Sequence, residues 1–360
     1  MSKISNYANK LEVGKPQIYK NMAVLPLFTK EKSKLEYIVF DEALNSGLSV
    51  SETGSVPSLH FTNKTGNEIL ILQGEYVIGG KQNRMIATNV YMAKGFDGDV
   101  PVRCVEQGRW NYGSGFGEPI RTTGQFDGSR SRADDIRYAI LDYARRTSDS
   151  GIDSHFKSGG MATKNVCFAA QRGQHEVWNE VGSLAADHGV KSATGNLGDV
   201  FREKKQKTDE YGHNFEYVKG SAGILIVSEK NGQKIYGAEI FDKPETMKRY
   251  FGKLLESYAL EAASSNGSNV KGISKTDAKN FLHELEKANE IERRPVSLGR
   301  DIQIAGNGVS GFALEYGVPV YMTLSSRNDG KTGNSNQFPD LNTVIFGPQG
   351  HFRTGFYRNK

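Results

Sequence analysis

The sequence predicts an α+β fold: a β-rich N-terminal half forming an antiparallel or mixed sheet, then amphipathic helices and hairpins in the C-terminal half. Three observations predict it. The chain has 41 glycines and only 10 prolines in 360 residues, a glycine content above the roughly 7% of average proteins, as tight turns between short strands require. Short apolar runs follow one another from Gln17 to Glu106. Helical spacing dominates later, notably from Gln171 and from Pro244.

In order along the chain, strands are expected at Met22–Phe28, Leu35–Phe40, Ser58–Thr62, Glu68–Ile78, Arg84–Met92 and Val100–Glu106. The unbroken run Ile69–Leu72 reads as a strand buried on both faces, whereas Val100, Val102 and Cys104 alternate with Pro101 and Arg103 as in a half-buried strand. Pro101 puts that strand's start at a sheet edge. A glycine-rich stretch, Gly113–Gly128, reads as a long loop of the kind that carries function or disorder. A helix is expected from Ser131, with Ile136, Ile140, Tyr143 and Ala144 on one face. A second follows Gln171, with Val177, Val181, Leu184 and Ala185 aligned and Gly189 as its stop. Leu197–Phe215 reads as a polar surface helix. Asn231-Gly232 between Gly223–Val227 and Ile235–Phe241 is a strong hairpin signal.

Pro244 opens the next helix, whose Met247, Phe251, Leu254 and Tyr258 share a face. Ser274 and Asp277 make a capping box for a helix through Glu290. Strands return from Asp301 to Phe346, with a bulge at Asp329–Gln337. The domain reading is therefore 1–262 as one α+β unit, β-rich over 17–110, with a loop over 111–131 and helices and a hairpin over 132–262. Residues 263–273 are a linker, and 274–360 a helix plus β-hairpin segment packed on the same core.

Composition narrows function. With 46 basic against 41 acidic residues the net charge is +5 and the signs interleave, so no nucleic-acid partner is expected. Hydrophobic residues make up 37% and charged residues 24%, enough apolar material for a packed globule. Cys104 and Cys167 have no paired spacing, which argues against a disulfide framework or thiolate zinc site. The polar N-terminus and short apolar runs predict a cytoplasmic protein with no membrane partner. Homo-oligomerisation is left open.

Gly306, Gly308 and Gly311 match dinucleotide-binding spacing, but Phe312–Leu324 reads as strand, turn, strand, where that fingerprint requires a helix. No phosphate-binding P-loop, zincin helix or nucleophile elbow occurs, and the seven histidines are scattered. No metal and no cofactor is expected.

The informative stretch runs from Gly74-Glu75 through Gly79-Gly80-Lys81-Gln82-Asn83-Arg84 to Glu106-Gln107-Gly108-Arg109-Trp110. Carboxylates, guanidiniums and a tryptophan are unusual company at strand ends. If the strands pair, Glu75, Gln82, Arg84, Glu106 and Arg109 converge at one end of a sheet. Arginine suits phosphate or carboxylate, glutamate suits ribose or acid/base work, and Trp110 offers a stacking face. The structural alternative is a Glu–Arg network bracing a glycine-rich turn. Cys104 reads as a buried hydrophobe. Gln174 and Trp178 share one helix face.

Together, Gly74-Glu75, Lys81-Gln82-Asn83-Arg84, Pro101-Val102, Cys104-Val105-Glu106, Gly108-Arg109-Trp110, Gln174, and Glu176-Val177-Trp178 resemble the family of ADP-ribosylglycohydrolase and rhodanese-phosphatase superfamily associated proteins. So do Phe241-Asp242 and Lys253–Leu260. The resemblance covers roughly residues 17–262, with Ser297–Leu324 a looser match. It implies a small-molecule ligand of the ADP-ribose or NAD-derived nucleotide class. Lys81, Gln82, Asn83, Arg84, Arg109, Trp110 and Gln174 are the candidate binding residues, with Glu75 and Glu106 as candidate acid/base groups. A non-enzymatic scaffold and a hydrolase of another phosphorylated or glycosidic substrate are the alternatives.

Overall fold

The computed structural model describes residues 2–109, 157–230, 232–264, 269–306 and 308–326. The glycine-rich loop, the helix expected from Ser131, Trp110, and the strands and bulge expected beyond Ser326 lie outside the described residues.

The chain opens with helix α1 (Lys3–Asn9), strands β1 (Glu12–Val13), β2 (Gln17–Tyr19) and β3 (Met22–Phe28). Strand β3 is buried along nearly its whole length because it sits inside a nine-stranded sheet. Its neighbours are the edge strands β1 and β2 on one side and β13 (Gly223–Lys230) on the other. The order continues through β14 (Gln233–Phe241), β18 (Val318–Ser326), β17 (Val309–Tyr316), β16 (Arg300–Ala305) and β15 (Asn289–Arg293). Every pairing in it is antiparallel.

Alternation along these strands sends two apolar sets to opposite faces. Met22, Val24, Ile224, Ile226 and Phe241 meet Met247, Tyr250, Leu254 and Tyr258 of the long helix Pro244–Ala263, α6 in chain order. Leu25, Leu225, Val227, Ile302 and Ile304 meet Ile4, Tyr7 and Ala8 of α1, and Phe281 and Leu282 of the helix Lys275–His283, α7. The Gly306-to-Gly311 segment leads into β17, a strand and not a helix.

The remaining strands form two smaller sheets. One has the order β10 (Val90–Met92), β7 (Glu68–Ile71), β4 (Tyr37–Val39), with helix α2 (Phe40–Leu44) following β4. The other runs β12 (Lys157–Met161), β8 (Glu75–Ile78), β9 (Arg84–Ile86), β11 (Asp97–Cys104), β6 (Ser58–Asn63), β5 (Leu48–Glu52). Helices α3 (Lys164–Arg172), α4 (Gln174–Asp187) and α5 (Leu197–Gly212) bury Val166, Val177, Val181, Leu184 and Val200 against Tyr76, Met85 and Val105.

Four expectations need correction. The strand expected over Glu68–Ile78 breaks at Gly74, whose φ is 96° and whose added Cβ would meet Cys167 Sγ at 2.5 Å. Arg84–Met92 splits between two sheets. Pro101 is not at an edge: β11 pairs with β6 through Pro101 and with β9 from Val102, so the missing N–H falls where the strand changes partner. The helix expected through Glu290 ends at His283, because Asn289–Arg293 instead gains a full antiparallel ladder against β16.

On the outer face of the six-stranded sheet, His60 Nδ1 and Nε2 each lie 3.0 Å from a carboxylate, of Asp99 and Asp97 respectively. The hydrogen bond to Asp99, followed by Asp97, raises the imidazole above its ordinary value of 6.5. A raised folded-state value stabilises the fold fully below 6.5, and the gain disappears as pH rises through the folded-state value. The site is exposed, so the gain should stay below about 1 kcal/mol. The melting-temperature difference between wild type and His60→Asn should therefore be positive in mild acid and vanish in mild alkali; a difference independent of pH would contradict it.

Candidate functional site

The turn Gly79–Asn83 joins β8 to β9, and Val105–Arg109 continues from β11 beside it. Glu106 holds the two together. Its carboxylate accepts from Arg109 Nε at 2.8 Å and Nη2 at 2.7 Å, from the Asn83 N–H at 3.2 Å, and from Thr194 Oγ1 at 2.9 Å. Arg109 also donates to the Gly80 carbonyl at 2.8 Å and to Asn83 Oδ1 at 3.0 Å. Gln82 Nε2 donates to the Glu106 carbonyl at 2.8 Å, and Asn83 Nδ2 to Asn196 Oδ1 at 3.3 Å. Gly108 donates its N–H to Thr194 at 2.7 Å, and a Cβ there would stand 3.0 Å from the Thr194 backbone. Asn196 caps α5 by accepting from the Gly198 N–H, so the loop before that helix is part of the same knot.

Arg84 joins the knot's flank. It is 1% exposed, donates to Glu52 Oε2 at 2.9 Å, and reaches the Ser58 and Ser55 carbonyls at 3.3 and 3.4 Å. Glu52 Oε1 accepts the Lys81 N–H at 2.8 Å, while the Lys81 side chain is half-buried. Gln174 donates to the Cys104 carbonyl at 2.7 Å and accepts its N–H at 2.8 Å. Its amide stands in for a neighbouring strand and docks α4 on β11.

The structure thus brings together Gln82, Asn83, Glu106 and Arg109, with Arg84 and Lys81 linked through Glu52. It does not bring Glu75 to them. Glu75 opens β8 while the turn follows that strand's other end, about 13 Å of extended chain away. Its carboxylate accepts from the Leu72 N–H and Tyr250 OH, both at 2.9 Å, and from Lys253 Nζ at 3.0 Å. Asp41 lies 2.6 Å from the same ammonium. Burial raises the Glu75 carboxyl above its ordinary range, against the pull of Lys253. Glu75 and Glu106 share no hydrogen-bond partner among these contacts.

Sequence reading missed Glu52, Thr194 and Asn196. Only Asn196 had a local signal, as a helix cap before Leu197. It also missed Glu239, fully buried and accepting from Tyr258 OH at 2.8 Å, Tyr321 OH at 2.5 Å and Lys164.

Both thiols are sealed in. Burial pushes Cys104 up to about 11 and Cys167 up to about 12, and the thiolate is the nucleophile. The native protein should therefore show no fast thiol toward a disulfide reagent at neutral pH, and both should react after denaturation. One equivalent reacting within minutes would overturn this.

Among the described residues, no group of three or more His, Cys, Asp or Glu is placed to hold a metal ion, and no helix is long and apolar enough to cross a membrane. No curated protein and no solved structure matches the chain. A family model does: the ARG and Rhodanese-Phosphatase-superfamily-associated Protein domain (ARPP-1) matches residues 10–324, and the chain belongs to that family.

Proposed function

We propose that the protein binds an ADP-ribose-type nucleotide at the Gly79–Asn83 turn. The observation that carries this reading is Gln82: its amide oxygen is buried and has no hydrogen-bond partner among the described residues, on a turn locked from behind by Glu106 and Arg109. In this reading Gln82 accepts from a ribose hydroxyl and the half-buried Lys81 side chain serves a phosphate. Asn83, Arg84 and Arg109 position the turn. The ligand class comes from the family, which is associated with ADP-ribosylglycohydrolase. Glu75 and Glu106 take no acid/base role here. A glycosidic hydrolase needs two carboxylates flanking one bond, roughly 5–10 Å apart, and their separate networks speak against that alternative.

Calorimetric titration with ADP-ribose, its phosphates and its cyclic forms tests the proposal. Gln82→Met should weaken binding about fivefold to tenfold, the worth of one hydrogen bond, and should also lower the melting temperature, because it removes the Nε2 donation to the buried Glu106 carbonyl. No heat with any of these at millimolar concentration would sink the idea. That outcome would leave the second reading, a non-enzymatic interaction module. It is favoured by one observation: the terminal nitrogens of Arg84 and the guanidinium of Arg109 are already engaged by Glu52, Glu106, Asn83 and backbone carbonyls.

A further inference from the structure

A second polar layer lies between α3, the loop after β9 and the α6 face of the large sheet, and the reading above does not use it. Gln73 is buried; it donates Nε2 to the Cys167 carbonyl at 3.0 Å and its backbone N–H to Asn89 Oδ1 at 2.8 Å. That leaves Gln73 Oε1 and Asn89 Nδ2, both buried, without partners among the described residues. Next to Asn89, Thr88 donates to Asp301 at 2.7 Å and accepts from Arg293 Nη2 at 3.2 Å. Arg293 also pairs with Asp301 at 2.7 Å and reaches Gln171 Oε1 at 3.0 Å, yet its Nε is buried and unpartnered. Gln303, two residues along β16 on the same face as Asp301, is 5% exposed, and its side chain has no hydrogen bond among the described residues.

Gln73, Asn89 and Arg293 therefore each leave one buried group unmade along this seam, and Gln303 adds a side chain with no hydrogen bond among the described residues. Each unmade buried group costs about 1–3 kcal/mol, so their gathering calls for a shared partner. The aromatic rings are there as well: Phe312 lies beside Gln303 in the register, Arg293 sits 4.9 Å over its ring, and Phe168 packs 5.7 Å away. Toward solvent, the next row on that face is the small, half-buried Ala305, Ser310 and Ser325.

We propose that this seam binds the carboxamide or lactam edge of a small heteroaromatic ring. Gln73 Oε1 needs a donor and its neighbour Asn89 Nδ2 needs an acceptor, and an amide edge presents N–H and C=O side by side. A carboxylate has no proton for Gln73. Arg293 is already balanced by Asp301, so the seam favours a neutral group over an anion. The ring itself goes against Phe312 and Phe168.

Nicotinamide, with nicotinate as its carboxylate control, tests this on the full chain by ligand-observed NMR titration. Nicotinamide should bind, and nicotinate should bind at least about tenfold more weakly. Asn89→Asp keeps the acceptor for the Gln73 N–H while removing the donor, and should weaken nicotinamide about tenfold. Gln303→Met, which makes no change to the Gln73–Asn89 pair, should also weaken it and serves if the first variant fails to fold. Gln82→Met should leave nicotinamide binding unchanged, which separates this site from the turn proposed above. Equal binding of the two compounds, no binding at millimolar concentration, or wild-type affinity in a folded variant would overturn the assignment.

Discussion

Arg109→Ala should destabilise the fold by about 3–5 kcal/mol, the loss typical when one member of a buried ion pair is removed and the other stays behind uncompensated. Glu106 would keep only the Asn83 N–H and Thr194 hydroxyl, while the Gly80 carbonyl and Asn83 Oδ1 would each lose a donor. Arg109→Lys should recover little, because an ammonium cannot reproduce the two-pronged contact with Glu106. The double variant Arg109→Ala, Glu106→Gln should be more stable than the single one, since it removes the stranded charge. Urea unfolding measures all three, and a loss under about 1 kcal/mol for Arg109→Ala would show that the knot does not hold the turn.

Lys253→Met should cost a similar amount, about 3–5 kcal/mol, by leaving Glu75 buried with only the Leu72 N–H and Tyr250 OH. Its pH dependence has a definite sign. Burial already raises the Glu75 carboxyl above its ordinary 4.5, and loss of the ammonium raises it further. A carboxyl raised on folding contributes most below 4.5, and that contribution is lost as pH rises through the folded-state value. The deficit of Lys253→Met relative to wild type should therefore shrink on acidification. Pairing it with Glu75→Gln should recover most of the stability at neutral pH. A deficit that grows in acid would contradict the account.

What the sequence revealed was mostly local. The Asn231-Gly232 signal, the Pro244 helix start and the Ser274/Asp277 capping box each rest on a few neighbouring residues, and β13, β14, α6 and the start of α7 lie where those signals put them. Pairing partners were not legible. Nothing near Pro101 reports that its strand changes neighbours there, and nothing near Asn289 reports a waiting β16. The same limit divided the candidate site. Glu106 and Arg109 are three residues apart and their pairing could be foreseen. Glu75 lies only seven residues from Gln82 along the chain, but its carboxylate answers to Tyr250 and Lys253, some 175 residues later.

The position of β3 in the nine-stranded sheet also bears on how the chain is made. Its inner neighbour, β13, begins at Gly223, about 200 residues after β3 leaves the ribosome. At roughly 5–20 residues per second, the apolar run Met22–Phe28 waits on the order of 10–40 s for the strand it joins. Over that interval the segment lacks its inner partner, so depleting a chaperone that holds nascent apolar strands should lower the yield of folded protein.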